Sequence, residues 1–273
     1  MKLSSPNSEL PIGVFDSGLG GLTVARQLVR CLPHEDFVYL GDTARVPYGN
    51  KSPSTVTRFS GEAARFLVDQ KVKAIVIACN TASAWALPQL QADFAVPLFG
   101  VIAPGAAAAL KQLSARRIGI IATAATIRSG AYTRAIRTHQ PLAQVFGQAC
   151  PLLVPLVEEG WENHPAALMI LRKYLAPLLR RKIDTLVLGC THYPLLRRAI
   201  RRCIPKDVAL VDSAQACAID VATQLSQLNR LARGRRRWGT FRTFVTDESP
   251  QFSVLAARLF KSTTGKPVVV SLP

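Results

Sequence analysis

No stretch of this 273-residue chain stays apolar for the ~20 residues that a bilayer span requires. The opening residues, Met1 to Pro11, are polar and hold nothing like the apolar core of a secretory signal. A cytoplasmic location with no membrane partner is therefore expected. Cysteine occurs six times, at Cys31, Cys79, Cys150, Cys190, Cys203 and Cys217. No two are spaced C-x-x-C, which excludes the usual zinc patterns, and no metal ligand set is predicted. Disulfides are not expected either, because a chain of this length with 49% hydrophobic residues builds a core without stapling. The glycines after Asp16 do not fit G-x-G-x-x-G, and no G-K-[ST] occurs. The commonest nucleotide-phosphate signatures are thus missing.

Acidic residues are scarce: 17 Asp and Glu stand against 34 Lys and Arg, a formal charge of +17. The excess clusters at Arg180, Arg181 and Lys182, at Arg197, Arg198, Arg201 and Arg202, and between Arg233 and Arg237. One reading is a solvated, Arg-rich surface. The other is attraction to an anion: an acidic substrate, nucleic acid or an acidic partner. No nucleic-acid motif and no aromatic interleaving accompanies the Arg clusters, so at most weak, non-specific nucleic-acid binding is expected.

Short β-branched runs alternate with helix-like segments along the whole chain. Strands are predicted at 12–16, 37–41, 74–79, 98–102, 118–122, 144–150, 185–190, 209–212, 240–246 and 267–271. Between them apolar residues recur at helical spacing, as at Leu22, Ala25, Leu28 and Val29. Ser52-Pro53 reads as a helix start, a capping hydroxyl followed by Pro at the first helical position. Near-continuous apolar strands alternating with helices predict an α/β fold with mostly parallel sheets covered on both faces. Ligands then sit beyond the carboxyl ends of the strands.

The chain also resembles itself. Residues 74–81 (AIVIACNT) match 185–192 (TLVLGCTH) at an offset of 111, and residues 12–17 (IGVFDS) match 118–123 (IGIIAT) at an offset of 106. Val101-Ile102-Ala103 and Val211-Asp212-Ser213 add a third pair at 110. Three matches in order at nearly equal offsets predict two similar domains, too long for solenoid repeats. The predicted division is 11–100 plus 213–273 for the first and 101–212 for the second. If the halves face each other about a pseudo-twofold axis, Cys79 and Cys190 approach one cleft from opposite sides.

Each of these cysteines ends an apolar strand and precedes a polar turn, Asn80-Thr81 or Thr191-His192, whose donors favour the reactive thiolate. Cys31, Cys150, Cys203 and Cys217 read as small apolar residues instead. Asp16 ends the first predicted strand beside a Gly-rich turn, as a helix cap or as a charged group at the ligand. His192 follows Cys190 by two residues, where an imidazole can trade protons with a thiol or a substrate. His34, His139 and His164 lie in polar contexts and are expected on the surface. Glu158, ahead of Glu159 and Gly160, reads on its own as a helix end.

Together, the segments 13–18 (GVFDSG), 41–49 (GDTARVPYG), 78–83 (ACNTAS), 150–158 (CPLLVPLVE) and 188–194 (LGCTHYP) closely resemble the bacterial glutamate racemases, over about residues 12–214. The resemblance implies two α/β domains, a homodimer, no metal or other cofactor, and D-glutamate made for peptidoglycan. It implies that Cys79 and Cys190 are the acid–base pair, with Asp16 supporting Cys79 and His192 with Glu158 supporting Cys190. By the same resemblance Asp16, Ser17, Tyr48, Gly49, Asn80, Thr81, Thr191 and His192 hold the amino acid, with Thr123 and Thr126 as weaker candidates for a carboxylate. Racemisation of aspartate or a hydantoin on the same scaffold is the alternative, although aspartate racemases tend to carry an acidic residue where His192 stands. A contact with nucleic acid or DNA gyrase is a second alternative for the basic surface, which the family pattern does not explain.

Overall fold

The computed structural model describes residues 8–112, 116–232, 238–260 and 265–272. The basic run between Arg233 and Arg237 lies outside them. The chain opens with β1 (Ile12–Asp16), α1 (Leu22–Cys31), β2 (Phe37–Gly41), α2 (Pro53–Asp69) and β3 (Ala74–Ile77). It continues with α3 (Asn80–Trp85), α4 (Leu87–Asp93), β4 (Leu98–Gly100) and α5 (Ile102–Leu110). The middle of the chain repeats the plan: β5 (Arg117–Ala122), α6 (Ala124–Ser129), α7 (Ala131–His139), β6 (Gln144–Ala149), α8 (Leu153–Glu158), α9 (Pro165–Arg180), β7 (Thr185–Gly189), α10 (Arg197–Arg201) and β8 (Ala209–Asp212). The chain closes with α11 (Ser213–Gln227), β9 (Phe241–Val245), α12 (Pro250–Phe260) and β10 (Val268–Val269).

Two sheets result, ordered β10-β9-β2-β1-β3-β4 and β6-β5-β7-β8. Every pairing within them is parallel. The order β2-β1-β3-β4 in the first sheet is the order β6-β5-β7-β8 in the second, so the sequence repeat is a repeat of topology. β9 and β10, late in the chain, extend the first sheet beyond β2.

Burial follows the pleat. All five residues of β1 are buried, and successive side chains point to opposite faces. Ile12 and Val14 join a core between the sheets, which also takes Ile118, Ile120, Val187 and Val211 from the second sheet and Leu28, Ala109, Ile136 and Val221 from α1, α5, α7 and α11. Phe15, with Val38, Leu40, Ile75 and Ile77, faces a separate core under α2, α3 and α4. Ile121, Leu186 and Leu188 face a third, under α8, α9 and α10. Each buried Val, Leu, Ile or Phe contributes roughly 1.5–3 kcal/mol relative to exposure, which is why strands covered on both faces carry almost no polar residues. α2 begins as expected, with Ser52 accepting the Thr55 amide and Pro53 in the first turn.

Several predicted strands end early. The first sheet's third strand stops at Ile77, so Cys79 is not a strand residue but the N-cap of α3. Cys190 stands just past β7, and residues 101–102 turn into α5. At these points the backbone leaves the ladder to start a helix, which apolar periodicity does not register. Among the described residues no helix is long and apolar enough to cross a membrane.

Candidate active site

In each sheet the chain moves outward in one direction from the first strand and in the other from its third. The crevice where these directions diverge, at the carboxyl ends, is where open α/β sheets bind ligands. In the first sheet it lies between β1 and β3, and its residues are Asp16-Ser17 and Cys79-Asn80-Thr81. In the second it lies between β5 and β7, and its residues are Thr123 and Cys190-Thr191-His192. The two crevices face one another. Ser17, Tyr48, Gly49, Cys79, Asn80, Thr81, Thr123, Cys190, Thr191 and His192 line a single small cavity. A larger hollow lies against Glu158 and α12. It carries carboxylates but no thiol or imidazole.

Cys79 is 5% exposed. Its Sγ accepts the Ala82 amide at 3.5 Å and donates to Ser17 Oγ at 3.3 Å. Burial and the nearby Asp16 charge push this thiol up to about 12, against the pull of the Ser17 and Ala82 hydrogen bonds. Asp16 is fully buried. Its Oδ2 accepts the Gly18 amide at 3.0 Å, while Oδ1 has no hydrogen-bond partner. Burial raises the Asp16 carboxyl above the ordinary range, and the charge of His192 and the amides of Gly21, Gly18 and Ser17 pull it back.

On the facing side, Cys190 Sγ lies 3.8 Å from His192 Nδ1, and His192 Nε2 lies 3.0 Å from Glu158 Oε1. Burial works against a charged imidazole, yet the hydrogen bonds and charges of Cys190 and Glu158 outweigh it and raise His192 to about 10. Glu158, half-buried at the last residue of α8, thus reaches across 34 positions of sequence to orient the ring. The two thiols have different neighbours: a carboxylate and a hydroxyl for Cys79, an imidazole backed by a carboxylate for Cys190.

Hydroxyls and amides complete the cavity. Thr81, Thr123 and Thr126 form a triangle of hydroxyls separated by 2.9, 3.1 and 3.0 Å. Thr81 comes from α3 and the other two from the start of α6, so the triangle spans both halves. Asn80 is buried, its Oδ1 accepting from the Tyr132 hydroxyl at 2.7 Å and its Nδ2 unpartnered. Tyr48 lines the cavity, and its hydroxyl donates to the buried Asp42 at 2.5 Å. Gly49 abuts Thr123, with 2.8 Å between the threonine Cβ and a Cβ placed on the glycine. This stretch therefore walls the cavity. His34, His139 and His164 are exposed, away from the site. Among the described residues no group of three or more His, Cys, Asp or Glu is placed to hold a metal ion.

Two contacts had no signal in the sequence. Thr23, inside α1, donates to the Thr191 carbonyl at 2.8 Å across 168 positions. Tyr132, inside α7, reaches Asn80 across 52. Each is an unremarkable residue of an amphipathic helix, and only packing reveals its partner.

Two thiols lining one cavity, each beside a charged group, stand on a duplicated α/β scaffold, an arrangement that suits an isomerase. The chain belongs to the Asp/Glu/hydantoin racemase family, whose model matches residues 12–220. It is 48% identical over 261 residues to the glutamate racemase of Geobacter metallireducens, covering 96% of each chain. Glutamate racemase isoform RacE1 from Bacillus anthracis superposes with a TM-score of 0.93 at 39% identity, covering 97% of this chain and 99% of that one. The glutamate racemase of Francisella tularensis, solved in complex with D-glutamate, superposes at 0.89 with 36% identity, covering 97% and 98%.

Proposed function

We propose that the protein is a glutamate racemase that interconverts L- and D-glutamate by 1,1-proton transfer between two cysteines, with no cofactor. The observation that carries this reading is the placement of Cys79 and Cys190 at equivalent crevices that open into one cavity. One sulfur, as thiolate, takes the α-proton and becomes a thiol. The resulting carbanion takes a proton from the other thiol on its opposite face, leaving a thiolate there. Two fixed carriers need only a small movement of the reacting carbon, whereas one would have to cross the substrate plane.

The difficult part is the weak acidity of a proton beside a carboxylate. Preorganised donors aimed at the developing charge supply the largest share of such stabilisation, and the Asn80 amide and the hydroxyls of Thr81, Thr123, Thr126 and Thr191 are the donors at hand. Asp16 stands beside Cys79, where its charged form strengthens that sulfur as a base. Glu158 holds His192, which exchanges a proton with Cys190. Each positioned acid or base adds roughly 10²–10⁴-fold. Ser17 completes the polar wall, and the backbone of Tyr48 and Gly49 excludes water from it. A homodimer supplying D-glutamate for peptidoglycan in the cytoplasm is the cellular setting that fits this chemistry.

Circular dichroism of L- and D-glutamate, with aspartate and a hydantoin as controls, tests the reading. Racemisation of glutamate is expected and should survive dialysis against a chelator without a pyridoxal absorbance. Replacing Cys79 or Cys190 singly by Ser should abolish it, while Cys31→Ala and Cys203→Ala variants keep it. Activity on aspartate alone, or turnover by a variant lacking both thiols, refutes the assignment.

A further inference from the structure

Tyr132 touches both cysteine-bearing turns. Its hydroxyl donates to Asn80 Oδ1 at 2.7 Å, one residue past Cys79. Its ring lies over the backbone of Gly189, one residue before Cys190, where an added Cβ would stand 3.1 Å from Tyr132 Cε2. On a third side an added Cβ at Gly105 in α5 would stand 3.2 Å from the phenol oxygen and 3.3 Å from Cε1. The ring is 3% exposed and confined between glycine backbones that leave no room for another side chain. The phenol's position is therefore fixed by packing before any ligand enters. Burial raises the hydroxyl above its ordinary value, so it remains a donor throughout the working pH range.

The consequence falls on Asn80. A primary amide can rotate by half a turn and present either oxygen or nitrogen to its surroundings. With Oδ1 held by the phenol, Nδ2 is the free end, and it is buried without a partner in a residue that lines the cavity. A buried donor left unsatisfied is unfavourable unless a ligand accepts from it. A carboxylate gaining negative charge as its α-proton leaves is such an acceptor, and a donor fixed in advance needs no reorganisation.

We propose that Tyr132 is a positioning residue for the reaction. It locks the Asn80 amide with Nδ2 facing the cavity, as a donor to the carboxylate beside the reacting carbon. The idea rests on the reading of this cavity as the site of α-proton transfer. Tyr132 itself touches no reacting atom and acts only through Asn80.

A double-mutant cycle on the full-length protein tests it, with glutamate racemisation followed in both directions by circular dichroism. Inactivity of the unmodified protein on glutamate overturns the site reading itself, before any variant is compared. Given an active protein, Tyr132→Phe removes the donor and keeps the ring. It is expected to lower kcat about tenfold in both directions with KM changed less than threefold, because the lost interaction strengthens only as charge develops. Asn80→Ala should lower kcat about a hundredfold, at the lower end of the loss seen when an oxyanion donor is removed. In the Asn80→Ala background Tyr132→Phe should cost no more than a further twofold. A purely structural tyrosine predicts multiplying losses and a raised KM, and either result overturns the proposal. So does a Tyr132→Phe variant with native kcat. Should Tyr132→Phe not fold, Asn80→Asp reads the same orientation. It keeps an acceptor for the phenol but sets an oxygen where Nδ2 stands, so kcat/KM should fall at least a hundredfold, and native turnover overturns the proposal.

Discussion

Gly20 lies in the turn between β1 and α1, with its back against the His192 imidazole. A Cβ at this position would stand 2.3 Å from His192 Nδ1, 2.5 Å from Cε1 and 2.5 Å from Thr191 Oγ1. Non-bonded heavy atoms rest at about 3.5–4.0 Å, so Gly20→Ala forces the imidazole or the turn to retreat by roughly 1 Å. Nδ1 faces Cys190 Sγ at 3.8 Å and Nε2 faces Glu158 at 3.0 Å. A retreat of that size takes at least one of these contacts beyond hydrogen-bond range. A misplacement near 1 Å costs about 10²-fold in rate, and overpacking of this kind costs about 1–3 kcal/mol of stability. Gly20→Ala is therefore expected to lower kcat/KM for glutamate about a hundredfold and the unfolding midpoint by a few degrees. Gly61 in α2 is the matched control, because the nearest atom to an added Cβ there is 3.9 Å away. Gly61→Ala should leave turnover unchanged and add up to about 1 kcal/mol of stability through helix propensity. A Gly20→Ala protein with kcat/KM within threefold of the parent would refute the claim that His192 works from this position.

His192 links pH to stability. Its value rises from 6.5 to about 10 on folding, so the native state keeps a proton that the unfolded chain releases. The contribution is complete below about 6.5 and fades as pH climbs toward 10. In a His192→Asn variant this alkaline decline should be absent from the unfolding midpoint. Asp16 shifts stability in the same direction, since burial raises its carboxyl above 3.8 and the cost of its carboxylate builds as pH rises from there through the raised value. Asp16→Asn should be more stable than the parent at pH 7, by a margin that vanishes in acid, while racemisation falls at least ~100-fold. The basic surface should bind duplex DNA weakly and without sequence preference, with a log–log salt slope of about −0.9 per phosphate and loss by ~0.2 M salt. Racemisation should be indifferent to it, and a salt-resistant, sequence-selective complex would contradict this. The exposed arginines of α10 and the Arg181 cluster are the surface concerned. In the fold Arg181, with Arg117 beside it, lies 5.6 Å from the Phe146 ring.

The amino-acid sequence determined whatever depends on local periodicity and on likeness between segments. Apolar runs of four to six residues marked the strands, because burial on both faces leaves little room for polar side chains. The likeness of 74–81 to 185–192 marked Cys79 and Cys190 as equivalent, and the repeated sheet order is the same fact in three dimensions. Strand ends were less legible, since a chain leaving a ladder to cap a helix, as at Cys79, keeps its apolar composition for a residue or two. Tertiary structure alone decided which side chains meet. Glu158 looks like a helix end until His192 arrives from β7, and nothing in the sequence marks Asp42 as the partner of the Tyr48 hydroxyl. Tyr132 and Thr23 carry no mark at all until their helices pack between the sheets. The reason is that hydrogen-bond partners far apart in the chain depend on how helices and sheets are set against one another, and hydrophobic burial sets that arrangement without reference to polar pairs. It is satisfied by any well-packed core, whereas the cavity needs one particular set of polar groups left facing inward.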